Sequence, residues 1–292
     1  MTAAVVRLLV IARLTLAETA RRRLFLVLVI VTVVAVALSA WGFAQIAGFA
    51  PEGATEAQRQ AALPVIVSQF LVLVTFMYSF ILALGAAFLA GPIVASDLES
   101  GVAVAMLARP LRRSELLLGK WLGIALLVAF YAIGSGILEL IAVRVTTGYV
   151  PPQPVLAVSF LVGQAVVLLT AATALATRLA AITSGVLALA TFGLAWVGGI
   201  VGGLGVALAN PSIAVVGDAT RLLVPTDGLW RGAAFDLYPP IVIELYRNAG
   251  AGAAAFPFYV PDPVPLWYVA WALAWIVVVL GLGLVSFRTR DL

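Results

Sequence analysis

The chain has 292 residues, of which 64% are hydrophobic and 10% charged, against roughly 45–50% and about 25% in water-soluble chains; its mean hydropathy is +1.16. That balance excludes a soluble fold, and the absence of Cys and His removes thiolate and imidazole nucleophiles, disulfides and the common transition-metal sites, so an enzyme is not expected. The net charge of +4 comes from sixteen Arg and one Lys scattered between apolar runs, a pattern of topology signals and not of a nucleic-acid-binding face.

Residues 3–20, within an N-terminal segment 1–23, read as a helix with Arg7, Thr15, Glu18 and Arg22 on one arc. An interfacial helix on the cytoplasmic leaflet is expected there, the alternative being an inner extension of the first span. Arg21, Arg22 and Arg23 then precede a much longer apolar run with no small-residue cleavage site, which argues against a cleaved signal peptide. Six spans follow, at 24–44, 64–92, 116–142, 155–176, 182–208 and 266–287, each able to cross a hydrocarbon core that takes roughly 20 helical residues. The weakest break is the turn containing Thr177 and Arg178 with Thr183 and Ser184 beyond it; without it the chain would have five spans. Gly91 and Pro92 are expected to end the second span.

With both termini, the loop at 93–115 with the adjoining Lys120, and Arg178 on one side, that side carries twelve basic residues and the other five. The positive-inside rule therefore predicts cytoplasmic termini in a multi-pass protein, with 45–62, 144–154 and 209–265 outside; the membrane expected is a prokaryotic inner membrane. The last of these is long and punctuated by Pro211, Pro225, Pro239 and Pro240. Its aromatics, from Trp230 to Tyr268, read either as an interfacial belt or as part of short re-entrant helices.

The loop at 96–115 carries the strongest local signals. Ser96 with Glu99 three residues on is a capping-box pattern that predicts a helix start, Arg109 suits that helix's C-terminal end, and Pro110 stops it. Ser114 and Glu115 then restart a helix into the third span. A short cytoplasmic helix of this kind either anchors at headgroups through Arg112 and Arg113 or docks a cytoplasmic partner.

The order Glu99, Gly101, Leu107, Pro110, Arg113 and Lys120 resembles the pattern between spans two and three of type-two ATP-binding-cassette exporter permeases. The amphipathic N-terminus, six spans, long last outer loop and closing FRTRDL are similar too; Val102 departs, where a hydroxyl residue commonly follows the glycine. PTDGLWRG at 225–232 also resembles permeases related to the copper-linked exporter of nitrous oxide reductase maturation. The resemblance implies a single permease domain over 1–292 that pairs with a second copy as a homodimer. It further implies a coupling helix that includes Glu99, Gly101, Leu107, Pro110 and Arg113 and docks on a separate cytoplasmic ATPase subunit. ATP and Mg would sit on that partner, and this chain, which has no G-x-x-x-x-G-K-[ST] phosphate loop, would carry no cofactor.

Inside the spans polar residues are few. Glu139, about 28 Å along the helix from Lys120, either snorkels to outer headgroups or belongs to a substrate path or gate, with Gln69 and Gln164 as weaker path candidates. In GGIVGGLG, Gly198 with Gly202 and Gly199 with Gly203 repeat every four residues on one face, a spacing that suits internal helix packing or a dimer seam. The competing function is an ion- or proton-coupled secondary transporter, which should show several intramembrane carboxylates. The transported substrate is not encoded in any motif of the chain; lipids of the membrane are the only other partners expected.

Overall fold

A computed structural model describes residues 3–48, 55–99 and 111–290. Among the described residues it is all-helical, with ten α-helices, one 3-10 turn and no strand. They are α1 (Ala3–Ala20), α2 (Arg23–Gly48), α3 (Glu56–Glu99), α4 (Arg113–Thr147), α5 (Pro154–Ala176) and α6 (Ala181–Ala207), then α7 (Pro211–Leu223), α8 (Thr226–Leu237), α9 (Pro240–Asn248), the 3-10 turn Ala251–Ala255 and α10 (Leu266–Arg288). Six of them, α2 to α6 and α10, are long and apolar enough to cross a membrane, and they take up the six expected spans. Six crossings place both termini on one face, with the segment between α3 and α4 and the turn at 177–180. We call this the termini face; α7 to α9 lie on the opposite, distal face.

The second span is longer than its apolar run suggests. It opens with a reciprocal cap, Thr55 N donating to Gln58 Oε1 at 2.9 Å and Gln58 N donating to Thr55 Oγ1 at 3.3 Å, the geometry that satisfies free N–H groups at a helix start. It then runs 44 residues, about 66 Å at 1.5 Å each. One expectation is corrected here: Ser96 does not start a helix but lies in the last turn of α3; Gly91 and Pro92 close the apolar, membrane-crossing part, Glu56–Pro92, while the helix itself runs on to Glu99. Gly91 packs so closely on α6 that a Cβ would stand 2.6 Å from Ala181 O and 2.7 Å from Ser184 Oγ. Neighbouring helices that grip this tightly hold a proline-containing span in register, a common tolerance in membrane helices.

Helix α1 is separate from α2, the chain turning at Arg21–Arg22. It packs along the base of α4, where Gly119 and Gly123 admit it: a Cβ on Gly119 would stand 2.7 Å from Ile11 Cβ, and one on Gly123 would overlap Ala12 O. Its inward face is Ile11, Ala12, Thr15 and Thr19, while Val6, Val10 and Leu14 point out; of the polar arc read from the sequence only Thr15 is buried, Arg7 and Arg22 being half-buried and Glu18 exposed. Thr15 and Thr19 serve helix packing, and an apolar face is left for lipid.

The main core gathers Leu71 and Leu82 of α3, Ile124 and Val128 of α4, Leu161 and Leu168 of α5, and Phe192 of α6 around Trp230 of α8 and Tyr238 just past its end. Those last two correct the belt reading for their own positions: both are about 2% exposed, and Trp230 stacks edge-on with Phe76 and Phe258. Other aromatics cap a helix end. Tyr268 Oη, Trp271 Nε1 and Trp275 Nε1 of α10 donate to the carbonyls of Arg221, Leu222 and Leu223 at 3.0, 2.9 and 2.8 Å, satisfying the last turn of α7, whose carbonyls have no partner inside the helix. At its other end Asn210 Oδ1 accepts from Ser212 N and Ile213 N, a side-chain N-cap.

Candidate functional site

On the termini face, the loop between α3 and α4 is framed by two described residues. Glu99 closes α3, and Arg113 opens α4; Gly101, Leu107 and Pro110 lie outside the described residues. Arg113 Nη1 donates to the carbonyls of Phe287, Arg288 and Arg290 at 3.3, 3.0 and 2.6 Å. Cations suit these positions because a helix C-terminus carries unpaired carbonyls and partial negative charge. Arg178 in the α5–α6 turn donates to Ser286 Oγ, Ser286 O and Thr289 Oγ1 at 3.0, 3.0 and 2.6 Å, and Arg290 Nη1 returns to Thr177 O at 2.7 Å. Three guanidinium groups thus tie the start of α4, the α5–α6 turn and the end of α10 into one patch.

The same patch takes hold of α1. Arg7 Nε and Nη2 donate to Glu115 Oε2 and Oε1 at 3.0 and 2.8 Å, the bidentate arrangement that gives Arg–carboxylate pairs their directionality. Glu115 Oε2 also accepts Arg112 N at 3.1 Å, so it caps α4 while holding α1. Sequence reading placed Glu115 only as a helix-restart signal and missed its partner 108 residues away; no local spacing encodes that pairing.

Between the spans, Glu139 is buried rather than reaching headgroup water. Its Oε2 accepts Ser39 Oγ of α2 at 2.9 Å, and its Oε1 has no partner among the described residues. It lines a cavity of about 20 Å³ with Thr75, Tyr78 and Leu161, room for a single water. The snorkelling alternative is thereby corrected: the helix register turns the carboxylate toward α2, α3 and α5. Gln69 instead joins α3 to the distal face, its Nε2 donating to Tyr246 Oη at 2.9 Å and its Oε1 accepting from Tyr238 Oη and Tyr246 Oη at 3.3 and 3.2 Å. Gln164 of α5 is 1% exposed, and both amide atoms lack a partner among the described residues.

The four glycines of α6 all meet this chain's own distal helices. Gly198 faces Thr220 and Gly202 faces Gly217, where a Cβ would stand 2.8 Å from Gly217 Cα; Gly199 faces the Asp227 carboxylate and Gly203 the Ala254 carbonyl. The face considered for a dimer seam is occupied by intrachain packing. Above Gly199 sits a buried ion cluster: Asp227 Oδ2 accepts Arg221 Nε and Arg231 Nε, both at 2.9 Å. The same two arginines reach Gly199 O at 3.4 and 3.5 Å, and Arg231 Nη1 donates to Tyr259 O at 3.1 Å. The i, i+4 spacing of Asp227 and Arg231 inside PTDGLWRG was the available sequence signal; the contribution of Arg221 depends on α7 folding back. Nearby, burial raises the Asp236 carboxyl to about 6, and its Oδ2 has no partner among the described residues.

Among the described residues no group of His, Cys, Asp or Glu could hold a metal ion. What the geometry offers is mechanical: a stitched patch beside a loop on one face, and a packed cap of three short helices on the other, joined by six apolar helices. Compared with known families, residues 9–292 match the model described as ABC-2 family transporter protein, over nearly the whole chain and without singling out the copper-linked branch. No curated protein matches significantly.

Proposed function

The chain belongs to the ABC-2 transporter family and is a multi-pass membrane permease, and from that premise we propose that it lines a substrate path driven by a separate ATP-binding-cassette ATPase docked on the termini face. The observation that carries this reading is Arg113. It stands at the exit of the 100–112 segment and grips the last carbonyls of α10, while Arg178 and Arg290 lock the α5–α6 turn to the same point. A displacement of the loop by a closing motor would therefore reach α3, α4, α6 and α10 together. Glu99, Gly101, Leu107, Pro110 and Arg113 form the coupling element, a second copy completes the path, and the termini lie in the cytoplasm of a prokaryotic cell. ATP and Mg bind the motor chain; the only lysine here, Lys120, is followed by Trp121 and not by Ser or Thr, so a phosphate loop is lacking.

The test is purification of the intact complex in detergent, followed by identification of a bound chain that carries a phosphate loop. Glu99→Ala and Leu107→Ala should leave membrane insertion intact and lower retention of that chain or uncouple its ATP hydrolysis from transport. Unchanged retention, hydrolysis and transport in the double variant would sink the coupling assignment. Orientation is tested separately: Ala54→Cys and Ala251→Cys should react with an impermeant maleimide in intact cells and Ser100→Cys should not.

A further inference from the structure

The distal face holds two cavities that the coupling reading does not use. One, of about 570 Å³, opens between α7, the 259–265 segment and the start of α10, with Arg221 and Arg231 in its floor, Asp218 and Asp262 at its rim and Trp267 on its wall. The other, of about 450 Å³, is a cleft between α5, α8 and α10. Pro263 and Val264 line both, so a single short segment divides them. Each has the size of an ordinary small-ligand site.

Their chemistry is opposite. In the first, Arg221 uses Nε on Asp227 and Nη2 on Gly199 O, which leaves Nη1 at 3.8 Å from Asp218, beyond hydrogen-bond distance. Asp218 and Asp262 are 72% and 73% exposed, and Arg247 Nη2 donates to Asp262 Oδ1 at 3.4 Å, so the mouth presents a guanidinium edge flanked by two exposed carboxylates, one of them sharing its charge with Arg247. The cleft is walled mainly by Leu156, Phe160, Leu273 and Ile276, with Gln153 and Asp236 at its distal end. From Leu266 to Ile276 it follows α10 for ten residues, roughly 15 Å, or about half of a 30 Å hydrocarbon core. A polar mouth at the level of Trp267 and Tyr268 above an apolar slot one leaflet deep is the shape of an amphiphile standing in the membrane.

We propose that the two cavities together bind one phospholipid of the distal leaflet with a primary-amine zwitterionic head: phosphate against Arg221, ammonium between Asp218 and Asp262, and an acyl chain in the α5–α8–α10 cleft. Charge balance favours this head over a purely anionic one, because Arg221, Arg231 and Arg247 are already matched by Asp218, Asp227 and Asp262, and a zwitterion adds no net charge to that balance. A choline head carries no N–H and cannot make charge-assisted hydrogen bonds to the rim. The site rests on these cavities alone and stands whether or not the lipid is cargo.

Native mass spectrometry of the full-length protein in detergent tests it, with phosphatidylethanolamine, phosphatidylcholine and soluble phosphoethanolamine as probes. Phosphatidylethanolamine should be retained about tenfold better than phosphatidylcholine, the ratio expected from one charge-assisted hydrogen bond. Leu273→Trp fills the cleft from an exposed position and should lower retention of both lipids by at least tenfold with unchanged thermal unfolding. The double variant Asp218→Asn with Asp262→Asn should keep phosphatidylcholine binding and erase the preference. Equal retention of the two lipids by the unaltered protein overturns the head assignment. Unchanged retention in Leu273→Trp, or displacement of lipid by phosphoethanolamine alone, overturns the chain assignment.

Discussion

Both faces of the protein are fastened by arginines, but to different acceptors. On the termini face, the Arg7–Glu115 pair apart, Arg113, Arg178 and Arg290 donate to backbone carbonyls and hydroxyls at helix ends, neutral acceptors that can turn to water when a contact opens. On the distal face Arg221 and Arg231 converge on Asp227, whose side chain is fully buried. A buried charge left without its partner is far costlier than an exposed carbonyl left to water. The first arrangement can be rearranged by a partner; the second holds the distal cap rigidly on α6.

The sharpest way to break this contrast is Asp227→Ala, which strands two half-buried guanidinium groups. Loss of one member of a buried ion cluster costs about 3–5 kcal/mol, so folded yield and thermal unfolding temperature in detergent should collapse. A variant as stable as the parent would mean that Asp227 does not organise the cap. Gly202→Leu follows. It drives a branched side chain into Gly217 Cα, and overpacking of this kind costs about 1–3 kcal/mol. It should also loosen α7, read as faster proteolysis between 208 and 225; an intact, protease-resistant variant would remove the close contact as a determinant.

Arg113→Ala should be milder on stability, about 1 kcal/mol, because its carbonyl acceptors can turn to water. Its expected signature lies in coupling: the ATPase stays bound while transport per ATP falls. Loss of stability comparable to that of Asp227→Ala, with coupling unchanged, would erase the distinction between the faces.

The six spans were legible because length and apolarity decide membrane crossing irrespective of partners. Helix ends were less so. Pro92 read as a stop because local backbone chemistry disfavours it, yet packing of Gly91 on Ala181 and Ser184 overrides that preference. Glu139 is a similar case: its depth along α4 was readable, but the direction of its side chain depends on where α2 brings Ser39. The glycine face of α6 was visible as a close-packing signal, whereas its partners, α7, α8 and the 3-10 turn, are set by a fold-back that no spacing records. The Arg7–Glu115 pair and the arginine stitches to 286–290 were invisible for the same reason, since long-range pairing leaves no periodicity in the chain.

The smallest expected effect concerns Asp236, at the edge of the rigid cap. Burial raises its carboxyl from 3.8 to about 6, so between those values the folded chain holds more protons than the unfolded one. Stability therefore falls as pH rises through the window from about 4 to about 6, and the penalty is fully present at neutral pH. Solvent near the group reduces the effect to about 1 kcal/mol or less. Asp236→Asn removes the charge while keeping the shape, so in lipid-free detergent it should unfold at a higher temperature than the parent at pH 7.5. The gap should close below about pH 3, where the parent's carboxyl is protonated in both states. A gap that is the same at the two pH values would trace the gain to packing, and a lower unfolding temperature at pH 7.5 would show that the carboxylate is stabilised in the cap by contacts that outweigh its burial.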